Sequence, residues 1–331
     1  MSRPAQPSPH PADSLACALR SHALPLLPLR SRVVHATARE FAGPYTRQGV
    51  VTTPFAHEPN AVRSPEGDWV VYMTMRHPPG FQINCTERRA ESVAADGQER
   101  TALPEPRHTY MTHSKTPSGP WSEPVLVLKA NYSIWDNNTV LIDTNLAVTI
   151  AEDGSAVGIW RLCENTKGTV CEDQCCTFPH LLTASDWKDP STYYPHSDRQ
   201  IFKGIKPYGA EDPMLWTQQH QGKRIVKAIL HDEQGPSRET AIGRYAFSDD
   251  GGVSWTYAQE DAYTGHVAWA EGGNTTLFRR ERPHMVVDKD GAPLAVSNGV
   301  QECGDSGSCP TANDRSWTLV QPVAQKPKQQ Q

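Results

Sequence analysis

Short hydrophobic runs separated by polar turns recur along this chain, and one combination of runs appears four times. Each copy has a polar opening, an apolar run, a glycine-containing turn and a second apolar run, as in "HEPNAVRSPEGDWVVYM" from residue 57. Two such runs joined by a tight turn are typical of a β-hairpin. The other copies begin at residues 136, 211 and 281, and the turn glycines are Gly67, Gly154, Gly222 and Gly291. The pattern therefore predicts four similar hairpins.

A second element lies at the far end of each unit, where a polar turn is closed by an aromatic residue. The four segments are "HATAREFAGPY", "THSKTPSGPW", "TASDWKDPSTY" and "AFSDDGGVSW", which end at Tyr45, Trp121, Tyr193 and Trp255. These segments predict outer strands, which gives units of about four strands each. The openings lie 79, 75 and 70 residues apart, a spacing that fits the blades of a β-propeller. An all-β propeller is therefore the predicted fold.

The number of blades follows from the first outer segment, which has no inner hairpin before it. Residues 32–54 are expected to form the outer part of a further blade whose inner strands are missing. We predict a five-bladed β-propeller of about four antiparallel strands per blade over residues 32–323, with the first blade incomplete. Residues 1–31 are expected to be irregular, and residues 324–331 a disordered tail. The C-terminal "DRSWTLVQPV" is expected to supply a strand that closes the ring.

The composition supports this fold and argues against two classes of partner. The chain has 28 prolines, 23 glycines and few long stretches of helix formers, which favours short strands joined by turns. The net charge is -5 and the basic residues are scattered, so we expect no nucleic-acid partner. No apolar run approaches the roughly 20 residues that cross a bilayer, so we expect no membrane partner. The predicted protein is a monomer.

The eight cysteines concentrate at 163–176 and 303–309, in polar, loop-like sequence. Disulfides are the expected state. Zinc binding is the alternative, but "CEDQCC" lacks a second well-spaced pair and a flanking histidine motif. Sequons for N-glycosylation add support for secretion, and they lie at Asn84, Asn131, Asn137 and Asn274. We expect a secreted glycoprotein, although arginine, histidine and proline interrupt the apolar segment where a signal peptide would lie.

The polar openings of the four hairpins are the candidates for a functional site. Innermost strands line the axis of a propeller, so these residues are expected to converge on one funnel. They are His57, Asp136, Glu211 and Glu281. Three carboxyl groups in one pocket repel one another, which raises at least one pKa and keeps an acid protonated. Glycoside hydrolysis needs such an acid and a second carboxylate. The alternative is that these acids bond backbone amides or bind an axial cation.

The openings, the "EDP" at 211–213 and the "SGPW" turn resemble the five-bladed propeller glycosidases of glycoside hydrolase family 43, over about residues 32–323. The resemblance implies inverting hydrolysis of a plant, algal or microbial glycan. It implies that Glu211 is the general acid and that Asp136 modulates its pKa and orients the sugar. No cofactor is required, and an axial Ca²⁺ without named ligands is compatible with the family. The general base belongs to the missing inner strand, and Asp13, the one upstream aspartate, is not assigned. Hydrolysis is therefore expected to be impaired.

Further residues near the openings are candidates for contacts with sugar. Aromatic rings stack on sugars, which brings in Trp135, Trp216 and Trp269, although propeller tryptophans more often pack between blades. The predicted substrate-binding residues are His57, Glu58, Trp135, Asp212, Trp216, Glu281, Arg282 and His284. Arg282 is expected to neutralise the neighbouring acids. The polar insertion at 76–107 is the candidate determinant of sugar specificity.

Two other functions compete with this interpretation. "SDDGGVSW" matches the Asp box of sialidases, S-x-D-x-G-x-x-W, at Ser248, Asp250, Gly252 and Trp255. A single copy is weak support, because sialidases repeat the box and use an arginine triad that cannot be placed on the openings. Turns of this kind also stabilise hairpins in many propellers. A non-catalytic carbohydrate-binding propeller is the second alternative, and the missing base favours it.

Overall fold

The computed structural model describes residues 33–41, 43–52, 56–75, 108–129, 140–142, 145–164, 176–202, 210–232, 242–301 and 316–323. Within these ranges the chain forms twenty β-strands and one 3-10 turn at Pro190–Thr192, and it contains no α-helix. Every described strand pair is antiparallel. None of these residues belongs to a helix of the length and apolarity needed to span a membrane.

The strands form a hairpin and the first two propeller sheets in the N-terminal half of the chain. The hairpin consists of β1 (Val34–Thr37) and β2 (Thr46–Val50). Sheet I has the order β3 (Ala56–Arg63), β4 (Trp69–Met75), β5 (His108–Ser114) and β6 (Val125–Leu128). Sheet II contains β7 (Val140–Ile142), β8 (Ala147–Ile150), β9 (Ala156–Glu164), β10 (Cys176–Ala184) and β11 (Tyr194–Gln200), and both β7 and β8 pair with β9.

Two further sheets and a second hairpin complete the described fold. Sheet III has the order β12 (Glu211–His220), β13 (Lys223–Asp232), β14 (Ile242–Ser248) and β15 (Thr256–Tyr263). The second hairpin consists of β16 (His266–Ala268) and β17 (Asn274–Thr276). Sheet IV has the order β18 (Arg279–Val287), β19 (Pro293–Gln301) and β20 (Ser316–Pro322). Apart from β7, which pairs with β9, consecutive strands pair within each of the four sheets, as in the blades of a propeller.

The all-β propeller is confirmed, but the predicted number of five blades is wrong for the described residues, which form four propeller sheets. The described residues of segment 32–54, which are 33–41 and 43–52, form the β1–β2 hairpin, and Val33 and Val51 pack into the apolar cluster of sheet I. The predicted closing strand is also corrected. Ser316–Pro322 pairs with β19 as the third strand of sheet IV, where Leu319 is buried against Val300.

The four predicted hairpins are confirmed as β3–β4, β8–β9, β12–β13 and β18–β19. Each turn glycine adopts a positive φ, between 75° and 84°. A side chain is strained in this backbone region, which is why glycine recurs at the same place in each unit. The predicted segments 1–31 and 324–331 and the insertion at 76–107 lie outside the described residues.

Apolar side chains fill the spaces between neighbouring sheets in chain order. Tyr72 of sheet I and Trp160 of sheet II belong to one cluster, in which both side chains are almost fully buried. A second cluster joins sheets II and III, and a third joins Trp216 of sheet III to Val296 of sheet IV. Neighbouring sheets cover each sheet on both faces, which an isolated sheet cannot achieve. The packing therefore fixes the sheets around a common centre.

Sheets III and IV are joined by a close approach at Gly291. The Trp216 indole N–H donates to the Gly291 carbonyl over 3.1 Å. A methyl group added at Gly291 would overlap the Thr217 carbonyl oxygen, whereas one added at Gly222 would meet no atom within 4 Å. Gly222 is a matched control because both glycines have positive φ.

We predict that Gly291→Ala lowers the free energy of unfolding by more than about 3 kcal/mol, because strain and overlap add. Gly222→Ala should cost only about 1 kcal/mol, from backbone strain alone. Urea unfolding of both variants measures the difference. Equal losses in the two variants would show that the Gly291 contact does not hold the sheets together.

Candidate active site

The openings of sheets I, III and IV share one backbone irregularity. In each, the ladder of the first hairpin skips two residues, and the second residue of the opening has a positive φ. These residues are Glu58 (50°), Asp212 (48°) and Arg282 (52°), and each precedes a proline. A non-glycine residue in this region costs about 1–2 kcal/mol. Strain repeated at equivalent positions of three sheets marks a position that the surrounding contacts hold firmly.

The three bulge residues meet at the centre of the propeller. The Arg282 backbone N–H donates to Asp212 Oδ2 over 3.1 Å. Arg282 Nη2 lies 3.9 Å from Glu58 Oε1 and 3.2 Å from His57 Nε2. Residues far apart in the chain therefore place two acids and a guanidinium in one cluster.

Sheet II contributes Asn145, which lies just before β8 and is buried. The surrounding acceptors assign its amide orientation. In that orientation Nδ2 donates to Glu58 Oε2 over 2.8 Å and to Asp212 Oδ1 over 3.3 Å. One amide group therefore bridges carboxylates from sheets I and III, so all four sheets reach the centre.

The Asn145 amide also lies 3.5 Å from Glu211 Oε1, but the other neighbours of Glu211 differ from those of Asp212. Arg161 Nη1 of β9 contacts Glu211 Oε1, and the two side chains are 13% and 19% exposed. His231 Nδ1 lies 3.8 Å from Glu211 Oε2. Both carboxylate oxygens of Glu211 thus face basic groups, which stabilises the ionised form.

Burial raises the pKa of Asp212 to about 7, and the nearby Glu211 and Glu58 carboxylates add to this effect. The charges of Arg282 and His231 oppose it in part. Burial lowers the pKa of His231, but the facing Glu211 carboxylate and the charge of Asp212 outweigh burial and raise that pKa overall. Asp212 is therefore a group whose protonation changes near neutral pH, and the facing acids favour the protonated form of His231.

Five predicted site residues are brought together at the centre, and they are His57, Glu58, Glu211, Asp212 and Arg282. His284 lies beside them, with Nδ1 3.5 Å from the Arg282 carbonyl oxygen, and burial lowers its pKa. Glu281 pairs with Arg279 of the same strand over 3.3 Å.

The two described tryptophans of the prediction, Trp216 and Trp269, lie away from the cluster. Trp216 is 5% exposed and packs between sheets III and IV, so the structure does not bring it to the cluster. Trp269 follows β16, and its indole N–H donates to Thr275 Oγ1 over 2.8 Å. Trp135 and Asp136 lie outside the described residues.

Three cluster residues were not predicted: Asn145, Arg161 and His231. His231 had a detectable signal, because it ends an apolar strand and antiparallel pairing places it directly opposite Glu211. Arg161 similarly interrupts the apolar run "GIWRLC". A polar residue within the otherwise apolar second strand of a hairpin was therefore the sequence signal that could have identified both His231 and Arg161.

Glu211, Asp212 and His231 offer ligand-type atoms within 4.8 Å of one another. The Arg161 guanidinium already contacts Glu211, and a cation placed there would be repelled by it. We therefore assign no metal to this cluster. The axial Ca²⁺ stays a prediction of the resemblance.

The predicted Asp box forms a turn between β14 and β15, away from the central cluster. Asp250 accepts hydrogen bonds from the Val253 and Ser254 backbone N–H groups, over 3.1 and 2.9 Å. The Trp255 indole donates to the Gly252 carbonyl over 2.9 Å. Burial raises the pKa of Asp250, but the hydrogen bonds from Ser254, Ser248 and the Val253 backbone together outweigh it and lower that pKa to about 2. The polar groups of this box are used within the turn, which is a structural role.

The disulfide prediction remains untested by the described residues, which show no disulfide and include only Cys163 and Cys176 of the eight cysteines. These two lie on the paired strands β9 and β10, one residue out of register. Of the predicted glycosylation sites only Asn274 is described, and it is exposed.

No protein-family model and no curated protein matches the chain. Several solved structures are similar to it. The GH93 α-L-arabinofuranosidase of Fusarium graminearum, in complex with arabinobiose, aligns with a TM-score of 0.49 and 8% identity, covering 89% of this chain and 69% of that chain. The α-L-arabinanase of Penicillium chrysogenum aligns with a TM-score of 0.46 and 11% identity, with the same coverage. A variant of the Bacillus licheniformis GH43 protein BlXynB aligns with a TM-score of 0.47 and 14% identity, over 88% of this chain and 50% of that chain. Likenesses of this degree carry no functional argument.

We predict that replacing Asp212 by asparagine stabilises the protein increasingly as pH rises from 4 to 8. A folded-state pKa of about 7, above the ordinary 3.8, means that the aspartate favours folding below pH 3.8 and loses this contribution as pH rises through 7. Asparagine carries no charge, so the stability difference should grow by about 4 kcal/mol over this range. Urea unfolding at several pH values measures it.

Glu211→Gln is the matched control for this prediction. It breaks the ion pair with Arg161, and we expect it to destabilise the protein at neutral pH. A stability difference between wild type and Asp212→Asn that does not change with pH would contradict the raised pKa.

Proposed function

We propose that this protein is a glycoside hydrolase-like propeller that binds a glycan at the central cluster and hydrolyses it by acid catalysis. The observation that carries the proposal is the convergence of Glu58, Glu211 and Asp212 from sheets I and III, with the pKa of Asp212 raised to about 7. A carboxyl group that is partly protonated near the working pH is suited to donate a proton to a glycosidic oxygen.

The other polar groups of the cluster suit a sugar ligand. The Arg282 side chain is 45% exposed and the His57 side chain 36% exposed, so both are accessible from the open side of the cluster. Guanidinium and imidazole groups can donate to the oxygens of sugar hydroxyls. A ligand held by these donors would lie against the carboxyl groups of Glu58 and Asp212.

The finer proposal is a family 43-type inverting hydrolase in which the Glu211–Asp212 pair contains the acid and Asp136 orients the sugar. We assign no base among the described residues. Glu58 and Asp212 contact one amide nitrogen over 2.8 and 3.3 Å, so they lie closer than the ~6.5–9.5 Å that separates the carboxyl groups of inverting enzymes. The calcium ion, the disulfides and secretion remain parts of the same proposal.

We predict that the protein releases phenol from at least one of the aryl α-L-arabinofuranosides, β-D-xylosides and β-D-galactosides. The double variant Glu211→Gln, Asp212→Asn should lose at least about 10²-fold in rate, since acid catalysis contributes ~10²–10⁴-fold. Glu66→Gln is the control, because Glu66 lies on the surface and pairs with Lys188. Hydrolysis that survives in the double variant would contradict the proposed site.

A non-catalytic carbohydrate-binding propeller is the second candidate, and the absence of an assignable base among the described residues favours it. Calorimetric titration with arabinan, xylan and galactan fragments separates the two. Binding without turnover by the wild type would favour this candidate. The absence of both would reject the carbohydrate proposal.

A further inference from the structure

We infer that Asp212, and not Glu211, is the residue that donates the proton, and that Glu211 is an ionised positioning residue. The inference rests on the proposed function and narrows it, because it assigns different roles to two adjacent acids. The geometry that points to it is the backbone bulge together with the separate neighbours of the two carboxyl groups.

The bulge is the first argument. In three sheets the strained position is the second residue of the opening, which is Glu58, Asp212 or Arg282. These side chains, with Asn145, contact one another across sheets. The first residues do not have this strained backbone, and their contacts differ: Glu211 contacts Arg161, His57 contacts Arg282, and Glu281 pairs along its own strand with Arg279. The shared strain is thus associated with the position of Asp212, one residue beyond Glu211.

The neighbours of Glu211 are the second argument. Its carboxylate forms an ion pair with Arg161, and the arginine side chain is only 13% exposed. Protonating Glu211 would remove the negative charge that faces this guanidinium in a largely buried site, which is unfavourable. A proton donor must spend part of its time protonated, so the ion pair opposes this role for Glu211.

The neighbours of Asp212 favour the opposite state. Its oxygens face neutral groups, the Arg282 backbone N–H and the Asn145 amide, which stabilise an ionised carboxylate less than the Arg161 guanidinium does at Glu211. The ionisable groups that face the pair come from every surrounding element. They are His57 and Glu58 of β3, Arg161 of β9, His231 of β13, Tyr263 of β15, and Glu281 and Arg282 of β18. Three carboxyl groups lie close together here, and one of them, Glu211, is already paired with an arginine. Asp212 is therefore the group whose protonation relieves the repulsion.

The proton transfer balances with water as the second reactant. The carboxylic acid of Asp212 gives its proton to the leaving-group oxygen as the bond between that oxygen and the anomeric carbon breaks. Water supplies a hydroxyl group to the anomeric carbon, and the proton it releases returns through solvent to the Asp212 carboxylate. Glu211 keeps its charge throughout and holds Arg161 and His231 in place.

The first test measures protonation without requiring activity. The protein is labelled with ¹³C at the aspartate side-chain carboxyl groups, and their chemical shifts are followed by NMR from pH 4 to 9. We expect one aspartate signal with a midpoint near pH 7, absent in Asp212→Asn and shifted to lower pH in Glu211→Gln, which removes a repelling charge. A wild-type protein with no aspartate that titrates above about pH 5 would overturn the inference, as would a signal that persists in Asp212→Asn.

The second test uses the dependence of the rate on the leaving group. Loss of a proton donor slows hydrolysis of phenyl glycosides, whose leaving group needs protonation, by ~10²–10⁴-fold. It changes little for dinitrophenyl glycosides, whose leaving group departs as an anion. We expect this contrast in Asp212→Asn and an equal loss on both substrates in Glu211→Gln. The contrast in Glu211→Gln alone would overturn the inference.

The two tests separate this inference from the proposed function. An aspartate that titrates near pH 7 in a protein that cleaves none of the glycosides would reject the hydrolase function while leaving the protonation of Asp212 established. Cleavage that is lost equally on both substrates in Asp212→Asn would support a hydrolase and reject Asp212 as its proton donor.

Discussion

The balance of charge at the propeller axis is the constraint on which this structure depends. Three carboxyl groups approach one another where water is largely excluded, and burying them without compensation is strongly unfavourable. Arg161 compensates Glu211, Arg282 compensates Glu58, and Asn145 bridges Glu58 and Asp212. Each compensating group comes from a different sheet from the acid that it contacts. The charge balance therefore also holds the inner ends of the four sheets together.

The repeating unit of the fold was predictable because it depends on local chemistry. A turn that needs positive φ selects glycine, as at Gly67 and Gly154. The apolar runs before and after each turn form the two strands of the hairpin. The number of sheets was not predictable in the same way. Residues 32–54 have the sequence of an outer blade segment, but the described part of it pairs only as the β1–β2 hairpin, beside which Val33 and Val51 pack on sheet I. The pairing of Ser316–Pro322 with β19 similarly depends on which strand edge is nearby.

The location of the site was predictable, and the roles within it were less so. Polar residues at the starts of strands identified the axis, and Glu58, Asp212 and Arg282 were among the predicted residues. The change of direction at these residues depends on tertiary contacts, because a positive φ before proline is not favoured by local sequence. The partners Arg161 and Asn145 come from sheet II, and their relation to Glu211 and Asp212 exists only after the sheets assemble. Pairing between distant residues is the information that a single sequence contains least directly.

The joint between Trp216 and Gly291 couples the outer part of the molecule to its centre. Trp216 and Asp212 lie on the same strand, β12, and the Gln219 backbone N–H of that strand also donates to the Asp290 carbonyl of the neighbouring turn, over 3.2 Å. Any rotation of sheet IV about the propeller axis would move β12 with it and displace Asp212. A substitution at the contact between Trp216 and Gly291 would therefore also change the position of Asp212. Selection on this contact and selection on the central cluster would then act on the same few positions.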